Sequence, residues 1–248
     1  MTVRTVDAAF SRYAERGAYH WAEVGGSWIR HNAFTAERYR RVLAEAAAAR
    51  PRRLLDVGCG DGAFLWMASR ALRGVELQGL DPNADARRLA HEMLSARGVH
   101  ASIHADWAAI PTGAFDVVTC SEVIEHVNEP RALLCEIGRA LAPGGIAVVT
   151  TPIRMTEAPA DPNHRVEFFP AEFRRLCDES GMTVLDHQQH IPAGSVEAYF
   201  WRPAFFARVP VFRLLCNLLS IYGGVNALTW LRMRRTLMML QLVVLRAR

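Results

Sequence analysis

The stretch RRLLDVGCGDGAFL, residues 52–65, constrains the fold more than any other. An apolar run ends on Asp56, glycines follow at 58, 60 and 62, and helical spacing then resumes in AFLWMASRAL. That is strand, tight turn, helix. Glycines at such a junction let the backbone come close to a ligand, and the helix N-terminus offers unpaired N–H groups. Asp81, in LQGLDP, ends the next apolar run. A nucleotide-type ligand needs a carboxylate at that place for its two ribose hydroxyls.

The rhythm then repeats. Strands are expected in VELQGLD, VHASIHAD, AFDVVTCSE, IAVVTTP, MTVLDHQQ and TLMMLQLVVLRAR. Helices are expected in PNADARRLAHEMLSARG, EPRALLCEIGRALAPGG and PAEFRRLCDESG. Strands alternating with helices imply an α/β fold with a mostly parallel sheet covered on both faces. Upstream, TAERYRRVLAEAAAAR reads as a helix with Thr35 as its N-cap, preceded by a lead-in carrying Tyr13, Tyr19, His20, Trp21 and Trp28. The 248 residues, 51% of them apolar, suffice for one core with attachments.

All 29 basic residues are arginine, and their placement is uneven. Residues 1–197 hold 21 arginines against 25 acids, whereas residues 198–248 hold eight arginines and no acid. Five cysteines without CxxC spacing argue against a disulfide framework or a thiolate zinc site. With no signal-peptide core at the N-terminus, a reducing cytoplasm is the expected compartment. A nicotinamide cofactor fits poorly, because DVGCGDG is not GxGxxG and Asp56 would repel a pyrophosphate. The same carboxylate suits a cationic or amino-acid-bearing ligand.

CSEVIEHV places Glu122, Glu125 and His126 at the carboxyl end of the fourth strand, where open α/β sheets bind ligands. Two carboxylates and an imidazole can hold a divalent metal, Mg or Zn, with His164 in NHRVEFFPAEF as a further ligand. His126 is also a candidate general base. A metal-free polar rim, with His126 satisfied by a backbone partner, stands beside these readings.

Through DVGCGDG, Asp81, HADWAAIP, FDVVTCSEVIEHV and LAPGGIAVVTTP, residues 50–190 resemble the class I S-adenosylmethionine-dependent methyltransferases. The resemblance implies a Rossmann-like seven-stranded sheet and S-adenosylmethionine as methyl donor. It implies that Asp56, Gly58, Gly60 and Gly62 cradle the methionine part and ribose, and that Asp81 binds the ribose hydroxyls. Asp106 would bind the adenine amino group, with Trp107 lining the ring. The ExxEH pattern with a later histidine is similar to two groups within the class, the ubiquinone-biosynthesis O-methyltransferases and the small-RNA 2′-O-methyltransferases. In both, the likeness implies a metal at the accepting hydroxyl.

On this reading residues 1–48 form a helical cap, 49–194 the cofactor-binding core, and 195–248 a hydrophobic, basic helical insertion with the last strand. Residues 195–233 interleave Phe200, Trp201, Phe205, Phe206, Phe212, Leu214, Leu215 and Trp230 with arginines 202, 208 and 213. Such a segment suits a lipid-like acceptor or peripheral contact with the inner face of a membrane, and equally buried packing or a dimer contact. The uncharged run 214–231 meets the minimum length for a membrane span, but its Gly223-Gly224 pair and polar residues favour two short helices. The Leu/Phe-rich character of residues 195–233 disfavours nucleic acid. The expected activity is O-methylation of a hydrophobic or lipid-linked small molecule. The alternatives are a small-RNA-type 2′-O-methyltransferase and a non-catalytic, membrane-associated S-adenosylmethionine-binding module. Oligomeric state stays open.

Overall fold

A computed structural model describes residues 12–159, 161–200, 210–229 and 237–248. Its centre is one seven-stranded sheet built from β1 (Arg53–Val57), β2 (Glu76–Leu80), β3 (Ser102–His104), β4 (Phe115–Ser121), β5 (Leu141–Pro152), β6 (Met182–Pro192) and β7 (Met238–Ala247). The spatial order is β3-β2-β1-β4-β5-β7-β6. Pairing is parallel from β3 through β5, and β7 runs antiparallel to both β5 and β6.

Strands covered on both faces should be apolar at successive residues, and they are. Leu54, Val117, Val148, Leu242 and Val244 pack on one side of the sheet. Their neighbours Leu55, Val118, Val149, Val243 and Leu245 pack on the other. The first layer is covered by α3 (Ala33–Ala48), α4 (Ala63–Ala71) and α5 (Ala84–Ser95), the second by α6 (Pro130–Ala140) and α7 (Pro170–Glu179).

Two short helices, α1 (Arg12–Arg16) and α2 (Tyr19–Val24), precede α3. The helix α3 is capped three residues earlier than its sequence suggests. Its N-cap is Asn32, whose side-chain oxygen accepts from Phe34 N at 3.1 Å. The expected cap, Thr35, lies in the first turn and donates its hydroxyl to Glu23 at 2.7 Å. A nearby carboxylate has outcompeted the local capping bond.

Between β6 and β7 lie α8 (Ala193–Phe200), α9 (Val211–Tyr222) and a short 3-10 turn, Ala227–Thr229. The run 214–231 therefore breaks at Gly223-Gly224, as expected of that pair. Among the described residues no helix is long and apolar enough to cross a membrane. Ala33, Tyr199, Cys216 and Leu228 form a small separate core that joins α3 to α8, α9 and the 3-10 turn. Trp201, Arg202, Phe205, Phe206, Arg208, Trp230 and Leu231 lie outside the described residues.

Strand order reverses between β1 and β4, and their carboxyl ends flank a crevice of the kind that holds ligands in such sheets. The loops after both strands carry the motifs singled out above.

Candidate active site

The loop after β1 is stitched to the end of β2. Leu80 O accepts from Gly58 N at 2.7 Å and from Cys59 N at 3.2 Å. The buried Asp81 accepts from Gly60 N through Oδ2 and from Asn83 N through Oδ1, each at 2.9 Å. Asp81 is thus no helix cap: Asn83 caps α5, and Asp81 clamps the glycine loop to the residue before that helix. Gly58 and Gly60 have φ of +72° and +54°. A Cβ at Gly58 would strike Val123, and one at Gly60 would strike the Tyr13 phenol. Both positions demand glycine on conformation and on space.

Residues that no local motif advertised complete this end. Asp61, buried in the loop, accepts from His20 N at 2.9 Å, and its carbonyl accepts from Trp21 Nε1 at 2.6 Å. These bonds tie α2 over the loop, while Tyr13 of α1 lies on Gly60. The aromatic lead-in around residues 13–21 was the one visible signal of this lid.

Asp56 is buried at the end of β1 and accepts the Thr119 hydroxyl at 2.8 Å. Burial pushes its carboxyl up to about 7, against the pull of that bond. An unfolded aspartate titrates near 4, so from about pH 4 to 7 the native state holds a proton that the unfolded chain has lost. Stability from this group is full below that window. It declines by roughly 1.4 kcal/mol per pH unit through it, and levels off above. Asp56→Asn removes that slope. Urea unfolding from pH 5 to 8 is expected to show the variant gaining on wild type as pH rises, and parallel profiles would contradict this.

The segment after β4 turns sharply. Glu122 has φ of +56°, a left-handed conformation that costs a non-glycine residue about 1–2 kcal/mol. Its carboxylate accepts the Thr150 hydroxyl at 3.2 Å and faces Arg38 of α3 at 3.5 Å. Burial raises the Glu122 carboxyl, with Arg38 opposing. Glu125 is completely buried. Its Oε2 accepts the Thr151 hydroxyl at 3.0 Å, and its Oε1 has no hydrogen-bond partner. Burial first, and Glu122 second, hold its carboxyl well above the ordinary range.

His126 Nδ1 lies 2.9 Å from the Asn163 carbonyl, which can only accept, so Nδ1 carries the proton and Nε2 is the basic nitrogen. Burial lowers the His126 pKa. His164 Nδ1 sits 2.6 Å from Glu167 Oε1, an arrangement that fixes its ring and likewise turns Nε2 outward. Glu125, His126 and His164 each place a ligand atom within 4.8 Å of the others. Glu122 is outside that trio, on the side of Arg38. A buried carboxylate with an idle oxygen beside two oriented imidazoles fits a divalent cation, and the nitrogen share suits zinc better than magnesium.

A cavity of about 540 Å³ runs from Gly58, Gly60 and Asp81 to Glu122, Glu125, His126 and His164. Six carboxylates and three guanidinium groups line it, so it favours cationic guests. A second cavity, about 590 Å³, shares Phe34, Arg38, Glu122 and His164 with the first and has apolar walls from Ile153, Met155, Met239 and Leu240. Asp106 and Trp107 line neither. Asp106 caps the short 107–109 turn through Ala108 N, and Trp107 is buried among core side chains.

A glycine loop and a strand-end carboxylate at a topological switch point define a protein that binds an adenosine-bearing cofactor. Comparisons with known proteins narrow the class. A family model described as "Methyltransferase domain" matches residues 29–202. The ubiquinone biosynthesis O-methyltransferase of Psychrobacter cryohalolentis is 38% identical over 107 residues, 40% of this chain and 40% of that protein. The chain thus spans well under half of that relative's length. Its counterpart in Thiobacillus denitrificans is 30% identical over 200 residues, covering 71% of this chain and 84% of that protein. Coclaurine N-methyltransferase, bound to N-methylheliamine and S-adenosylhomocysteine, has the same fold, with a TM-score of 0.66 at 14% identity over 99% of this chain and 83% of its own. The [4+2]-cyclase SpnF has it too, with a TM-score of 0.61 at 20% identity over 86% and 81% of the respective chains. The chain belongs to the S-adenosylmethionine-dependent methyltransferase family.

Proposed function

We propose that this protein transfers a methyl group from S-adenosylmethionine to a hydroxyl oxygen of an apolar, small-molecule acceptor, of the lipid-linked kind. The observation that carries this reading is the join between the two cavities. The glycine-loop chamber and the apolar chamber meet at Arg38, Glu122 and His164, so a donor in one faces an acceptor in the other.

S-adenosylmethionine supplies a sulfonium methyl, already a good electrophile, and the protein's work is alignment and exclusion of water. Asp56, Gly58 and Gly60 form the cradle for the methionine part and ribose, and Asp81 takes the ribose hydroxyls, whereas Gly62, which does not line the cavity and packs against Ala90 and Leu94, is assigned to the cradle on resemblance alone. Asp106 and Trp107 are assigned to the adenine end on resemblance alone, since neither lines the cavity. Glu125, His126 and His164, with Glu122 beside them, would hold a divalent cation, which would acidify the accepting hydroxyl as a Lewis acid. His126 Nε2 is the group placed to take the hydroxyl proton where no metal is held.

The test is methyl transfer from radiolabelled S-adenosylmethionine to an alkyl-chain catechol, to the same catechol without its chain, and to a short single-stranded RNA. Transfer is expected to the chain-bearing catechol, with a kcat/KM about tenfold or more above that of the chainless one, from burial of the chain. Transfer to RNA alone would replace this reading with the small-RNA one. Binding of S-adenosylhomocysteine without transfer to any hydroxyl would favour a non-catalytic module.

A further inference from the structure

The helices α1 and α2 form a lid with two fastenings. On the donor side Asp61 holds α2, and the Tyr13 ring lies on Gly60, packed against Ala86 and Leu89 of α5. On the other side Arg12 donates from Nη2 to Asp161 Oδ2 at 3.0 Å, across 149 positions of sequence. Asp161 belongs to the loop between β5 and α7, and both it and Arg12 line the donor cavity and the apolar one. The pair therefore borders both chambers.

Asp161 passes this contact inward. Its Oδ1 accepts from Asn163 N at 2.9 Å and from Asn163 Nδ2 at 2.7 Å. The Asn163 carbonyl in turn accepts from His126 Nδ1 at 2.9 Å. The Asp161 carbonyl accepts from His164 N at 2.9 Å, and that of Glu125 accepts from Arg165 N at 2.7 Å and Val166 N at 3.3 Å. One short loop thus takes up the lid at Asp161 and holds His126, His164 and the Glu125 backbone within the next five residues. The ion pair itself, with side chains 34% and 32% exposed, adds little to the stability of the fold. Such a pair can break and re-form at small cost, as a link between a lid and a loop requires.

We propose that Arg12 and Asp161 are positioning residues, which carry the arrival of the donor under the lid to the loop that orients His126 and His164. Tyr13 and His20 line the donor cavity, so a cofactor seated there touches the lid and holds α1 in place. Arg12 then keeps Asp161, and Asp161 keeps Asn163, in the arrangement that turns His126 Nε2 toward the site. The acceptor side is set only once the donor is in place. By linkage, whatever orders the loop tightens donor binding by the same factor. The coupling rests on S-adenosylmethionine binding beneath α1 and α2. That His126 and His164 serve the acceptor rests on the reading proposed above, which fails separately.

The test is hydrogen exchange with and without saturating S-adenosylhomocysteine, in wild type, Arg12→Gln, Arg12→Lys and Asp161→Asn. The amides of residues 163–166 are all hydrogen-bonded, so their exchange reports opening of the loop. In wild type the ligand is expected to slow them by about fivefold or more, together with those of the glycine loop. In Arg12→Gln and Asp161→Asn the glycine loop should still be protected, while the slowing at 163–166 falls below about twofold. Arg12→Lys, which keeps the charge, should restore most of it. The first two variants should also lower kcat on the chain-bearing catechol about tenfold, with the KM for S-adenosylmethionine within about fivefold of wild type. Residues 163–166 that exchange alike with and without the ligand in wild type overturn the proposal, as does an Arg12→Gln protein with wild-type protection there. Affinity for S-adenosylhomocysteine lost by about fiftyfold in Arg12→Gln but kept in Asp161→Asn would make Arg12 a direct ligand of the cofactor, and overturns it too. Were wild type to bind no S-adenosylhomocysteine, the donor site would fall and the link with it. Ligand-dependent protection at 163–166 without transfer to any hydroxyl would keep the link and strike the acceptor reading.

Discussion

Asp81→Ala is expected to weaken S-adenosylhomocysteine binding by on the order of 100-fold or more, the largest effect of any single change at the donor end. The carboxylate holds two backbone N–H groups, of Gly60 and Asn83, and is 5% exposed. Removing it leaves both buried donors unpaired, at about 1–3 kcal/mol each, and frees the glycine loop from the start of α5. On the proposed reading it also deletes the acceptor for the ribose diol. Asp81→Asn should fall between, since a carboxamide can accept from only one side and turns an N–H toward the other donor. Calorimetric titration at pH 8, with a thermal melt on each variant, reads this directly. A folded Asp81→Ala protein that binds within about threefold of wild type would remove Asp81 from the donor site.

Glu125→Gln is expected to cut methyl transfer by about 100-fold or more while leaving S-adenosylhomocysteine affinity unchanged. A fully buried carboxyl with an unpartnered oxygen is costly in its charged form, and the nearest relief on offer is a cation shared with His126 and His164. Glutamine keeps the shape and the bond from Thr151 but removes the charge. The variant should therefore melt no lower than wild type, which separates lost chemistry from lost fold. A chelator should do to wild type what the substitution does, and add nothing to the variant. Full activity in chelated wild type together with full activity in Glu125→Gln would leave a metal-free polar rim, with His126 alone as the candidate base.

The core was readable because its strands are buried on both faces. Runs such as RRLLDV and IAVVTT can be little else when glycine clusters and helical spacing follow at regular intervals. The meeting of the glycine loop with Asp81 was readable for a related reason, since the two follow consecutive strands, close in sequence. What escaped came from long range. Arg38 sits in a helix with Arg40 and Arg41, and nothing local distinguishes the one that reaches Glu122 from the two that pair with Glu37. Asp61, His20 and Tyr13 meet only because α1 and α2 fold back over the β1 loop. The exposed apolar face of α9, with Val211, Leu215, Leu218, Leu219 and Tyr222, was visible as composition, but its direction was not. That direction follows from Asn217 and Ser220 finding partners on residues nearly two hundred positions away.

The placement of β7 has a consequence for how the chain assembles. β6 touches the sheet only through β7, which is synthesised later, after the α8–α9 insertion. Until β7 emerges, β6 has no partner strand and the edge of β5 lies open, two unpaired edges in one nascent chain. Closing them requires a strand to slot between elements already made, the non-local step that tends to be slow and exposed to aggregation. Growth of this sheet therefore runs outward from β1 in one direction and ends by infilling in the other.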